Sequence, residues 1–168
     1  MPTNFYMYFV AALIPMIIGF IYYHPKVAGT AWMKANNFTP ESLQGGNMGL
    51  IFGVSYVLSL MLAFTVGGMV IHQTAVYAMM MPEVMEVGSE ANKEFAALME
   101  KYGNNHRSFT HGVIHGVAGG LFFVLPVLGT NALFEKKGWR YILVNVTYWV
   151  ITLALMGGLL AATLNYEL

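Results

Sequence analysis

Four apolar stretches, each long enough to cross a bilayer as a helix, constrain this chain more than any other feature. They run over Phe5–Tyr23, Met48–Ile71, Thr110–Phe134 and Tyr141–Leu164. A helix rises 1.5 Å per residue, so roughly 20 apolar residues are needed to cross about 30 Å of hydrocarbon. Lipid offers no partner for backbone N–H and C=O groups, and a helix satisfies them within each segment. The reading is an all-α, polytopic membrane protein with four transmembrane helices in two antiparallel hairpins. They form one domain spanning all 168 residues.

Composition agrees with that reading and removes several function classes. The chain is 57% hydrophobic and only 10% charged, whereas about a quarter of a soluble domain is charged. Eight Lys and Arg balance eight acidic residues, all of them Glu, so no basic field exists to attract nucleic acid. Without cysteine there are no disulfides, thiolate zinc sites, iron–sulfur clusters or thiol nucleophiles, and only His and Glu remain as plausible metal ligands. Met1 to Asn4 carry no basic n-region, so the run behind them reads as a retained helix, not a signal peptide.

The connections carry most of the polar residues. His24 to Gly46 mixes Tyr22, Tyr23 and Trp32 with Lys26 and Lys34, which suits the headgroup layer and marks an interfacial segment anchored by those three aromatics. Within it, Thr39-Pro40-Glu41 has the order of a cap, a first-turn proline and a dipole-favoured carboxylate. His72 to Phe109 is longer, and Ser89 is placed to cap an extramembrane amphipathic helix over Glu90–Tyr102. Ala91, Phe95, Leu98 and Tyr102 fall on its expected apolar face. The last connection, Glu135 to Arg140, is a tight turn that makes spans three and four antiparallel neighbours. Lys26, Lys34, Lys136, Lys137 and Arg140 lie in connections one and three, against Lys93, Lys101 and Arg107 in connection two. By the positive-inside rule this bias places both termini on the outer side.

Span three holds the constellations. Gly112, Gly116 and Gly120 recur every fourth residue, a stripe that lets another helix backbone approach, and Gly157 and Gly158 repeat small residues in span four. Pro126 should kink or open its helix. His111 and His115 stand one turn apart on one face, and His72 and His106 reach the same membrane surface because spans two and three share an end. His72, His111 and His115 are the candidate metal ligands, although two histidines at this spacing more often serve as interhelical hydrogen-bond partners. Asn145, Tyr148 and Thr152 share a face of span four suited to hydrogen bonds between helices. Thirteen methionines, including Met79, Met80 and Met81, read as packing filler before copper ligands. No phosphate loop, no Ser-His-Asp order and no intramembrane carboxylate accompanies them, so no catalytic residue and no cofactor is expected.

Gly19, Tyr22-Tyr23, Pro25, Gly29 and Ala31-Trp32-Met33, with His111-Gly112 and a hydrophobic hairpin beyond, resemble a family of small four-helix bacterial membrane proteins known only as a domain of unknown function. That family's first motif carries Trp and Phe where Tyr22 and Ala28 stand here. The resemblance spans nearly the whole chain and implies a bacterial cytoplasmic membrane location, but no activity. The residues then favour a non-enzymatic membrane protein that works by helix packing, in lipid, with itself or with other membrane subunits. A small oligomeric channel or carrier and a His-based metal or redox-cofactor protein are the alternatives.

Overall fold

A computed structural model describes residues 3–165. Those residues are helical, with no strand among them. Three helices are long and apolar enough to cross a membrane: α4 (Met48–Val70); α7 (Phe109–Gly119), which runs on to Phe134 through α8 (Leu125–Phe134); and α9 (Trp139–Thr163). At 1.5 Å per residue even α4 exceeds about 30 Å.

The first expected span is not one continuous helix. It divides into α1 (Tyr6–Ala11) and α2 (Ile14–Tyr22). Pro15 explains the break, because it has no N–H for the Ala11 carbonyl and its ring crowds that carbonyl. At the far end His24 precedes Pro25 and is held extended (φ −63°, ψ 139°), as the residue before a proline must be. The chain then turns through a π-helical segment, Pro25–Gly29, into α3 (Thr30–Asn36). Tyr6–Tyr22 and Pro25–Asn36 meet at 59°. The described residues therefore hold three membrane-length helices, or four if this bent pair is one broken span.

Trp32 sits between Tyr23 and Phe38, with ring centroids 5.4 and 5.3 Å apart, so the aromatics expected at the interface pack on one another. The hydroxyls of Tyr22 and Tyr23 are not left to headgroups. Tyr22 donates to the Val144 carbonyl (3.0 Å) and Tyr23 to Asn145 Oδ1 (3.1 Å). Thr39 Oγ1 accepts from the Ser42 N–H (3.3 Å), starting the short 3₁₀ turn Glu41–Leu43.

In the long connection, α5 (Gln73–Met79) is followed by α6 (Glu90–Tyr102), whose Ser89 side chain accepts from the Asn92 N–H (3.1 Å). The helix has the expected bounds, but its inner face is turned. Met99 is buried, with Ala91 and Phe95 half-buried, whereas Leu98 and Tyr102 are exposed. The inner stripe is thus i, i+4, i+8, and its Phe95 ring meets Tyr77 (5.4 Å).

The α9 helix is the hub. Ile142, Val146, Leu153, Met156, Leu160 and Ala161 on it are buried. Its partners on α7 run backwards: Gly112 faces Gly157, Gly116 faces Leu153 and Gly120 faces Val150, so the two helices are antiparallel. The N-terminal arm also runs against α9. The Thr3 N–H donates to the Asn165 carbonyl (2.7 Å), Tyr148 donates to Pro15 (2.8 Å), and Tyr22 reaches Val144. One end of the bundle therefore carries Thr3, Asn165, the exit of α4 and the entry of α7. The other carries His24 and the Glu135–Gly138 turn. The opening expected at Pro126 is a π-helical turn, Gly120–Val124, just before it. Its wider i→i+5 spacing accommodates the missing donor.

Candidate functional site

The site begins with backbones in contact. A Cβ added at Gly112 would fall on the Gly157 carbonyl, and one at Gly116 on the Leu153 carbonyl; at Gly120 it would meet Val150 Cγ2 at 2.5 Å. A Cβ at Gly157 would in return fall on the Gly112 carbonyl, and one at Gly158 would lie 2.6 Å from the Phe109 ring. The small-residue stripe is thus engaged inside this chain, between α7 and α9.

That contact fixes the rotation of α7 about its axis. His111 and His115 each precede a stripe glycine, about 100° round the helix, and so form a row beside the α7–α9 seam. Ser108 starts the helix where it does, its side chain accepting from the His111 N–H (3.2 Å). On the neighbouring element, Ile71 is extended and breaks the chain between α4 and α5, and His72 follows at the N-terminal edge of α5.

The three histidines meet there. His72 Nε2 and His111 Nε2 are 2.9 Å apart, and one ring nitrogen from each of His72, His111 and His115 lies within 4.8 Å of the others. Their ring centroids are 4.5 to 5.0 Å apart. His72 is exposed and the other two are half-buried, so the cluster opens at the bundle's end. His106 stands beside it, its centroid 4.9 Å from His111 and 5.6 Å from His72. His24, at the opposite end, instead accepts from the Lys26 N–H through Nδ1 (3.2 Å).

A tetrahedral ion with nitrogen ligands at about 2.0–2.1 Å needs those nitrogens about 3.4 Å apart. The His72–His111 pair, at 2.9 Å, is already inside that spacing, and the three nitrogens lie within 4.8 Å of one another. Without an ion, one proton is shared between His72 and His111, which requires opposite tautomers at the two rings. An all-imidazole set suits zinc, copper, nickel or iron and disfavours magnesium or calcium, which take oxygen ligands.

Gln73 was not foreseen as part of this site. Its Nε2 faces the carbonyls of Tyr102 (3.2 Å), Gly103 (3.0 Å) and Asn105 (3.0 Å), and so ties the loop after α6 to the residue next to His72. The only hint in the sequence is generic: the last carbonyls of α6 need donors. Asn145 and Tyr148 bond to Tyr23 and Pro15, respectively, and Thr152 is fully buried on the same helix.

The family profile of DUF1761, described as a protein of unknown function, matches residues 6–161. The chain belongs to the DUF1761 family. No curated protein and no solved structure matches it.

Proposed function

We propose that this DUF1761 protein is an integral membrane protein that binds one divalent transition-metal ion at His72, His111 and His115. The observation carrying this reading is the convergence of three imidazole nitrogens, from two separate elements, within 4.8 Å. The proposal is one of binding, and no catalytic residue is assigned. The expected packing role loses its main motive for assembly, because Gly112, Gly116, Gly157 and Gly158 already meet partners within the chain. A pore lined by span four is disfavoured for a similar reason, since Asn145 accepts from Tyr23 and Tyr148 donates to the Pro15 carbonyl of the N-terminal arm.

The test is native mass spectrometry of tag-free, chelator-stripped protein in mild detergent, titrated with zinc. One zinc per chain is the expected result, and the same spectrum reads the oligomeric state and any co-purifying subunit. Failure of zinc to bind at micromolar concentration would overturn the proposal.

From the Lys and Arg bias we further infer that connections one and three face the cytoplasm and the histidines the outer side of a bacterial cytoplasmic membrane. Thr39 and Glu94 are exposed on the two connections and suit single cysteines. On intact cells an impermeant thiol reagent should label position 94 and spare position 39. The reverse pattern would invert the orientation.

A further inference from the structure

We propose that His106 is the fourth ligand of this centre, so that a bound ion ties the Gly103–Ser108 loop to the trio through the His106 side chain; the inference rests on the three-histidine reading. A tetrahedral site with three protein ligands keeps one position for water or a fourth donor. His106 already lies against two of the three rings, 4.9 Å from His111 and 5.6 Å from His72 between centroids, although it is not part of the trio within 4.8 Å.

Its backbone supports the assignment. His106 has φ +62°, a left-handed conformation that a residue with a β-carbon adopts at a cost. The loop on both sides is pinned. Gln73 holds the carbonyls of Tyr102, Gly103 and Asn105, Arg107 Nε donates to the Ala161 carbonyl (3.3 Å), and Ser108 caps α7. These ties hold the His106 backbone beside the cluster while its ring is exposed. Rotation about its side-chain bonds is then the motion required, without refolding of the loop.

Such a centre has three ligands on helical elements and one on a loop. Release of the ion would begin with His106, which opens one coordination position to water or to an exchanging ligand, and the helix-borne trio would let go afterwards.

The experiment compares wild type, His106→Gly and His106→Asn, full-length and in detergent. Gly and Asn both accept the left-handed backbone, so neither adds strain. Zinc affinity is measured by chelator competition and loop protection by hydrogen exchange. The expected result is one zinc in all three proteins, bound on the order of 100-fold more weakly in both variants. Zinc should slow exchange over residues 103–108 in the wild type only. Equal affinity and equal protection in all three would remove His106 from the centre and leave the trio standing. No zinc in the wild type would remove both readings.

Discussion

Gly116→Ala is expected to be among the most disruptive single changes in this chain. The added methyl group would coincide with the Leu153 carbonyl and lie 2.6 Å from Ala154 Cα. Both obstacles are backbone of the hub helix, so no rotamer change relieves them and α7 must move away from α9. Overpacking into a side chain costs about 1–3 kcal/mol; against rigid backbone the loss should be about 3 kcal/mol or more. Gly53→Ala is the matched control, since a Cβ there meets nothing within 4 Å and helix propensity changes by only about 1 kcal/mol. Thermal or SDS-induced unfolding in micelles, followed by circular dichroism, should show a large loss for Gly116→Ala and little change for Gly53→Ala. Equal stability of the two would mean that the α7–α9 seam can slide. The same substitution should impair metal binding, because His115 is positioned by the residue that follows it.

How much of this was legible from residues alone depended on what decides each feature. The three long helices were readable to within a few residues, because in lipid an apolar run of that length has to pair its backbone internally. The Ser89 cap was readable for the same local reason: one side chain fixes one helix start. The break in the first span was not anticipated, because Pro15 disturbs an apolar run through its missing N–H and not through its polarity. The inner face of α6 was misassigned because tertiary contacts set it, among them the Tyr77–Phe95 pair and the Asn92 bond to the carbonyl of buried Val84. Convergence of His72 with His111 and His115 followed from topology, since consecutive spans share an end. Their spacing did not, because it depends on how α7 is rotated against α9 and seated beside the end of α4, and only the partner helix shows that the glycines of α7 meet the backbone at Leu153 and Gly157.

His111→Ala and His115→Ala are each expected to abolish tight metal binding, a larger effect than any change at His106. These two rings are held on a helix whose rotation is set by the glycine seam, so losing either breaks the trio and leaves His72, one α7 imidazole and the exposed, loop-borne His106. His24→Ala should bind as wild type does, because His24 lies at the far end of the bundle and is engaged with Lys26. Ion at about 100 times its dissociation constant should stabilise the wild type by about 2.7 kcal/mol, so the added thermal stability should vanish in the two variants and persist in His24→Ala. The pH dependence has a definite sign. Ligating imidazoles must be neutral, so metal binding competes with protons and affinity should fall as the pH is lowered. Elemental analysis after gel filtration measures the occupancy and competition titration the affinity. Zinc retained at full stoichiometry in both His111→Ala and His115→Ala would show that any bound ion sits elsewhere, and the histidines would then be hydrogen-bond partners at a helix junction.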